Sequence, residues 1–345
     1  MRINRDNIEE ILLTISRNKT RSLLTAFGVF WGIFMLVVML GGGHGLKNML
    51  MTELAGVASN SGFVFSDRTF VPYKGFRKNR RWDLEMKDLE AISQIKELEV
   101  VAANSSRWGK TFIYEDKKFD DGNLRGLTPS FEQIEDQHIK YGRFINEVDI
   151  REARKVCVIG KEVYRRFFEE GENPCGQFVQ VDGVYYMIIG LSTTDGNFNI
   201  NGWPPESIVI PLSTMQRMYN MGNKLELIAF TMKPGTHVND VQPQIEQLVK
   251  ERHLIAPDDK QAVQFINAET LFKMVDDLMG GIEVLIWMVG LGTLLAGAIG
   301  VSNIMMVLTP MAPASSVPKP TIHISTSMPP IRSSTILKRV SALIN

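Results

Sequence analysis

The chain has 345 residues, which is enough for one large domain or two smaller ones. Its 38 basic and 38 acidic residues balance, and this neutrality argues against nucleic acid as a partner. Two long apolar blocks near the ends of the chain dominate its organisation.

The segment 1–21 is predicted to form a cytoplasmic amphipathic helix ahead of the first apolar block. Its apolar side chains recur at helical spacing, opposite a face of acidic and basic residues. We expect this helix to lie along the inner membrane surface or to pack on a cytoplasmic protein, and both can hold together. The apolar residues are Ile8, Ile11, Leu12 and Ile15.

Residues 22–46 and 284–308 are predicted to be transmembrane helices. Neither block contains Asp, Glu, Lys or Arg, and each would be roughly 37 Å long, more than the ~30 Å hydrocarbon core. The first block is too long, and starts too far along the chain, for a cleaved signal peptide. Small residues spaced four apart predict close helix packing in lipid. They are Gly28, Gly32, Ala296 and Gly300.

The distribution of basic residues predicts the topology. Several precede the first span, whereas Lys47 is the only one that follows it closely. Because Lys and Arg near a span remain in the cytoplasm, we expect a cytoplasmic amino terminus and an external segment 47–283. The basic residues before the first span are Arg2, Arg5, Arg17, Lys19 and Arg21.

The external segment mixes helical and strand patterns and predicts an α+β domain. The helical patterns cover Trp82–Ile95 and Val238–His253, and "ELEVVAAN" and "KTFIYE" are typical of two strands. Residues 151–192 predict a strand, a helix, a turn and a hairpin whose turn is Asp182-Gly183. "SIVIPL" and "LELIAFTMKPG" predict further strands.

No enzymatic site, metal site or cofactor is predicted in this segment. "RWGKT" (107–111) resembles the end of a phosphate-binding loop but lacks the preceding glycine. The loop 195–206 has the acidic and amide spacing of a calcium loop, but Ile200 replaces its required glycine. Cys157 and Cys175 are expected to be free thiols rather than a disulfide.

A basic run follows the first span and leaves two interpretations open. It could contact anionic lipid headgroups, or it could be a solvated loop, and the second is favoured. Its residues are Arg68, Lys74, Arg77, Lys78, Arg80 and Arg81.

Taken together, these stretches resemble the MacB/FtsX-like permeases, the membrane subunits of type VII ABC transporters. "RNKTRSLLTAFGVFWGIFMLVVMLGGGHGLKN" is similar to their opening span. "LRGLTPSFEQI", "YGRFI" and "IVIPLSTMQRM" follow the motif order of the MacB-like periplasmic core domain, and "LGTLLAGAIGVSNIMMV" is similar to the start of the second span. The resemblance covers residues 1–307.

The resemblance implies a fold, partners and a mechanism. The fold is a periplasmic α+β core domain of two subdomains between two transmembrane helices of the cell inner membrane. A separate cytoplasmic ABC ATPase opens and closes on ATP, the spans shift, and the periplasmic domain moves, with the amino-terminal helix helping to couple them. The implied partners are that ATPase, a second permease in a homodimer or heterodimer, membrane lipid and a periplasmic adaptor.

Beyond residue 308 the chain departs from the family pattern. The family continues with a Glu- and Arg-rich cytoplasmic stretch and two further spans, whereas residues 309–345 contain no acidic residue and are dominated by Pro, Ser and Thr. Such a composition does not favour a packed core. We therefore predict a permease truncated by a shifted reading frame, with little transport activity, and a native disordered tail is the alternative.

Two other classes of protein compete with the permease. A two-span sensor or scaffold would act through its periplasmic domain without an ATPase. A membrane-tethered enzyme is disfavoured, because the sequence shows no nucleophile, base or metal cluster.

Overall fold

The computed structural model describes residues 19–54, 56–194 and 199–308. Ile8, Ile11, Leu12 and Ile15 of the predicted amphipathic helix, and the tail 309–345, lie outside these residues. The helices are α1 (Lys19–Glu53), α2 (Met86–Ile92), α3 (Glu147–Glu152), α4 (Lys161–Phe167), α5 (Leu212–Met218), α6 (Val238–Arg252) and α7 (Ala268–Leu308). The strands are β1 (Ser61–Ser66), β2 (Leu84–Glu85), β3 (Leu98–Tyr114), β4 (Lys117–Leu127), β5 (Ile139–Gly142), β6 (Val156–Ile159), β7 (Phe178–Val181), β8 (Val184–Ser192), β9 (Ser207–Pro211), β10 (Lys224–Leu225), β11 (Leu227–Met232) and β12 (Val263–Asn267).

Ten of the described strands form one mixed sheet, and part of that sheet closes on itself. Its order is β12-β1-β11-β3-β4-β9-β6-β8-β5. Strand β7 pairs with both β3 and β8, so β3-β4-β9-β6-β8-β7 form a closed ring. We call this ring, with α4 and α5, the ring lobe, and we call β12-β1-β11-β3 with α2 and α6 the sheet lobe.

The sheet lobe is buried on both faces. All six residues of β11 are buried, and its alternate side chains divide between two apolar cores. Ile228 and Phe230 pack on the side of α2 and α6, whereas Leu227 and Ala229 face the opposite core. The stripe of α6 that packs on the sheet consists of Val238, Val241, Ile245 and Val249.

A buried carboxylate joins the two helices of the sheet lobe. Asp88 of α2 is only 1% exposed and lies 2.7 Å from both Arg252 Nε and His253 Nε2 at the end of α6. Burial acts to raise the pKa of Asp88, but the hydrogen bonds with His253 and Arg252 outweigh it and hold the pKa below its usual value. The charged network therefore fixes the position of α6 against α2.

The ring lobe has a core of its own, filled by the side chains that point into the ring. Among them are Phe112, Leu124, Cys157, Val179, Tyr186, Ile188 and Ile208. Cys157 is a buried free thiol, and burial raises its pKa well above the usual range. Cys175 is a free thiol that is only partly buried. Because the ring closes, each of its six strands has a partner strand on both sides.

The α+β domain between two apolar helices is confirmed, and the two lobes correspond to the predicted subdomains. The hairpin β7–β8 turns at Asp182 (φ 50°) and Gly183 (φ 81°), as its Asp-Gly pair predicts. The strand predictions for "ELEVVAAN" and "KTFIYE" are confirmed, and both segments lie in one continuous strand, the 17-residue β3. The helix predicted over Trp82–Ile95 is shorter, since Leu84 and Glu85 pair with β10 before it begins.

Candidate functional site

The two long helices pack against each other along an antiparallel seam of small residues. A Cβ at Gly32 would lie 3.3 Å from Thr293 Cβ, and one at Gly297 would lie 3.1 Å from Val29 Cγ2. Gly290 lies so close to Leu36 that a Cβ there would be 2.1 Å from its Cδ1. The absence of side chains at these positions lets the helix backbones approach closely.

The four residues predicted to pack helices together occupy different positions. Gly32 lies in the α1–α7 seam, whereas a Cβ at Gly28 would have nothing within 4 Å. Ala296 is exposed, and Gly300 lies within α7 near its end. The sequence analysis missed two seam positions on α7, Gly290 and Gly297. These glycines are seven residues apart, so a search for small residues spaced four apart does not find them.

Both helices are long and apolar enough to cross a membrane. The stretches that qualify are Ala26–Thr52 and Ala268–Ile299. In the most apolar part of each stretch, only 6% and 11%, respectively, is buried within the structure. Large side chains point outward, including Phe30, Trp31 and Trp287. Such an extended apolar surface is costly in water, and a lipid bilayer is the solvent that suits it.

The helices are also longer than a bilayer requires. Helix α1 has 35 residues and α7 has 41, so they extend roughly 52 and 62 Å, against a hydrocarbon core of ~30 Å. The surplus turns form a two-helix stalk, which we define as residues 44–53 and 268–283; it overlaps the ends of the two qualifying stretches and carries all of their charged residues. The stalk has no break in the helical hydrogen bonding of either chain segment.

Polar residues line the stalk where it meets the apolar stretches. Lys47 Nζ lies 3.2 Å from Asp276 Oδ1 across the two helices. A cavity of about 450 Å³ between them is also lined by His44 and Glu283. His44 Nδ1 bonds to the carbonyl oxygen of Leu40 within its own helix, at 2.8 Å. Both ends of the Lys47–Asp276 ion pair are about half exposed, so it contributes at most about 1 kcal/mol.

The stalk joins the external domain at neighbouring strands. Helix α7 begins at the residue after β12, α1 leads into β1, and β1 pairs with β12. The first turn of α7 also contacts α6, because Glu269 Oε1 lies 2.5 Å from His237 Nδ1 and Glu269 Oε2 accepts from Val238 N. A displacement of α7 therefore acts directly on the edge of the sheet lobe.

The segments considered for ligand chemistry have structural roles among the described residues. "RWGKT" lies inside β3, where Arg107 pairs with Glu226 and Lys110 with Asp182. An extended strand does not wrap its amides around a phosphate. In the loop resembling a calcium site, the side chain of Asn199 accepts a hydrogen bond from the backbone N–H of Gly202, and Ile200 is buried. Within the described part of the chain, no group of three or more candidate metal ligands was found.

Residues 22–248 match the model of the MacB-like periplasmic core domain, from the first apolar helix into α6. The chain belongs to this family. The resemblance to the MacB/FtsX-like permeases is therefore confirmed, and a membrane protein with an external domain follows from the two flanking helices.

Two relatives that the chain resembles are named as export proteins. The chain is 25% identical over 296 residues to the macrolide export ATP-binding/permease protein MacB of Aggregatibacter actinomycetemcomitans, covering 85% of this chain and 44% of MacB. It is also 25% identical to the pyoverdine export ATP-binding/permease protein PvdT of Pseudomonas entomophila, over 84% of this chain and 42% of PvdT. The chain thus spans less than half the length of these relatives.

The fold is shared with a solved structure. The periplasmic region of MacB from Actinobacillus actinomycetemcomitans superposes with a TM-score of 0.52 at 19% identity, covering 66% of this chain and 98% of that region. At this identity the likeness shows the fold alone.

Proposed function

We propose that this chain is the permease subunit of a MacB-like ABC exporter, in which a separate cytoplasmic ATPase moves the external domain through the stalk. The observation that carries the proposal is that α7 begins at the residue after β12, and that β12 pairs with β1, the first strand after α1. The names of the exporter relatives support the same direction of transport. In this proposal the chain itself catalyses no reaction.

The proposed orientation places the amino terminus in the cytoplasm and the external domain in the periplasm, with the helices in the inner membrane. The basic residues ahead of α1 support this orientation. The outward-facing Gly28 and Ala296 are then available for contact with lipid or with a second permease. The implied dimer partner, ATPase and periplasmic adaptor belong to the proposal.

Mechanical coupling requires that the two stalk helices move as a pair. The seam at Gly32, Gly290 and Gly297 holds them in close contact inside the apolar region, and Lys47 and Asp276 face each other outside it. A rigid pair transmits displacement over the roughly 20 Å of stalk without melting a helix. The role of the ATPase is to supply the displacement at the cytoplasmic ends.

The proposal is tested by purifying the tagged full-length chain from its native membranes into nanodiscs and measuring vanadate-sensitive ATP hydrolysis. We expect a co-purifying ATPase, and we expect a crosslink between cysteines introduced at Lys47 and Asp276 to form and to leave its activity unchanged, because the two helices move as a pair; a loss of activity on crosslinking would mean that the helices must move apart. Cysteines at Lys47 and at the exposed, distant Lys96 provide the matched control. If the chain purifies without ATPase activity yet retains a bound periplasmic protein, the sensor or scaffold alternative replaces the permease.

A further inference from the structure

Strand β12 is the open edge of the large sheet. Ala262 O accepts from Asp67 N at 3.0 Å, and the register pairs Phe65 with Gln264. Since backbone groups alternate in direction along a strand, the N–H and C=O of Gln264 face β1. Those of Val263 and Phe265 therefore face away from β1, on the side where no described strand lies; Phe265 is partly exposed there, whereas Val263 is only 3% exposed.

This edge lacks the devices that usually prevent strand pairing. Its sequence is Val-Gln-Phe-Ile-Asn, with no charge and no proline. The strand at the other end of the sheet, β5, carries the exposed Lys140. Exposed edges without charge, proline or a cover are templates for an added strand.

A groove runs beside this edge under helix α6. It is a cavity of about 660 Å³ between β12, α6 and the neighbouring loops, lined among others by Phe265, Pro243 and Gln247. The side chains of Val263 and Phe265 face the same side of the sheet as α6. A strand added to β12 would therefore place every second side chain in this groove.

The groove is lined by charges of both signs and lies beside a strongly basic loop. The loop 67–81, which we call the basic loop, carries the whole basic run against one acid, Asp67. Lys74 of this loop and the exposed Lys260 line the groove, as do Glu251 and the ion pair of Lys250 with Glu246. Two aromatic residues of the same loop are also exposed, Phe70 to 55% and Phe76 to 40% of its surface.

The basic loop is held in place by buried polar contacts. Asp259 Oδ2 accepts hydrogen bonds from Phe70 N at 2.6 Å and Val71 N at 3.0 Å. Arg80 donates to the carbonyl oxygen of His253 at the end of α6, at 2.5 Å. The positive charge beside the groove is therefore fixed rather than free to move with a long loop.

The position of the basic loop argues against contact with the headgroups of the chain's own membrane. The loop follows Ser66, whereas the stalk joins the other end of the same strand pair, near Gly62 and Asn267. Four residues of strand separate the two ends by about 13 Å, in addition to the length of the stalk. The lipid interpretation of the basic run is thus disfavoured.

We propose that the groove binds an extended segment of a periplasmic partner protein, which adds a strand to β12 and presents acidic side chains to the basic loop. Main-chain pairing supplies the affinity in this mode of recognition, and the groove and its charge supply the specificity. The proposal does not rest on transport or on an ATPase, and it stands if either is absent.

The first test is binding of a designed probe to the full-length chain in nanodiscs. The probes are fluorescein-labelled peptides of about ten residues that alternate Val and Thr and carry Asp and Glu at one terminus or the other. We expect at least one of them to bind at least about tenfold more tightly than the same peptide with Lys in place of the acids. Lys74→Glu combined with Lys260→Glu should remove that preference, whereas Lys140→Glu on β5 should leave it unchanged.

The second test locates the peptide by hydrogen exchange resolved to single residues. We expect the amide of Phe265 to become protected on binding, whereas those of Gln264 and Ile266, already bonded to β1, should not change. Binding without this protection, or no binding at about 1 mM peptide, would overturn the proposal. Protection that rises with protein concentration in the absence of peptide would identify a second copy of the chain as the occupant. Competition by phosphatidylglycerol vesicles would identify lipid as the occupant. Either result would overturn the proposal.

Discussion

The replacement Asp259→Ala should be among the most destabilising single changes in the external domain. Asp259 is 1% exposed, and its carboxylate accepts hydrogen bonds from four backbone N–H groups. They belong to Phe70, Val71, Gln261 and Ala262, at 2.6, 3.0, 3.2 and 3.2 Å. A hydrogen bond to a charged group contributes at least about 1.5 kcal/mol, so loss of the two shorter bonds alone costs about 3 kcal/mol.

The assay is thermal unfolding of the full-length chain in detergent, with Asp258→Ala as the matched control because its side chain is exposed. A loss of about 3 kcal/mol corresponds to a fall in Tm on the order of 10 °C for a domain of this size. Asp258→Ala should change Tm by no more than about 2 °C. A difference between the two variants of less than about 1 kcal/mol would refute the assignment of Asp259 as an anchor.

The same variant has a defined pH dependence. Burial acts to raise the pKa of Asp259, but the N–H groups of Val71 and Phe70 outweigh it and hold the pKa below its usual value. A carboxyl whose pKa is depressed by folding stabilises fully above the unfolded pKa of about 4, and this stabilisation is lost as the pH falls through the folded pKa. The gap in stability between the wild-type chain and Asp259→Ala should therefore narrow below about pH 4.

Three further predictions concern glycines. Gly32→Val should push α1 and α7 apart, measured as a longer spin-label distance across the helices, whereas Gly28→Val, with nothing within 4 Å, should not. Gly280→Ala should stabilise the stalk by about 0.5–1 kcal/mol, because the position is helical with open space around it, and should slow hydrogen exchange in α7. Gly160→Ala should destabilise the ring lobe by about 2 kcal/mol or more in thermal unfolding, since its Cβ would lie 2.3 Å from the carbonyl oxygen of Pro204.

The sequence predicted elements best where the signal is local. The Asp182-Gly183 turn needs two residues that tolerate positive φ, and its hairpin formed as predicted. The apolar stripe of α6 likewise depends only on spacing within one helix. The extension of α1 and α7 beyond the apolar blocks was not predicted. Lys47, Asp276 and their polar neighbours interrupt the apolar run that set the predicted bounds, but the helices continue through them.

The long-range pairings had no signal in a single sequence. Closure of the ring depends on β7 meeting β3 through Phe112 and Val181, which are far apart in the chain. The edge position of β12 likewise follows from which strands pair elsewhere, not from its own residues. The basic run was visible in the sequence, but its place beside a groove depends on Asp259, whose side chain bonds residues nearly two hundred positions away.

Strand β12 links the two proposals, because one of its edges is open to a partner and its carboxyl end continues into α7. If the stalk has two positions in the ATPase cycle, a partner strand that pairs better in one of them must favour that position. By linkage, the factor by which the nucleotide state changes the affinity of the probe peptide must equal the factor by which the peptide changes nucleotide affinity. Equal peptide affinity in the ATP-bound and nucleotide-free states would mean that the groove recruits a partner without taking part in the movement.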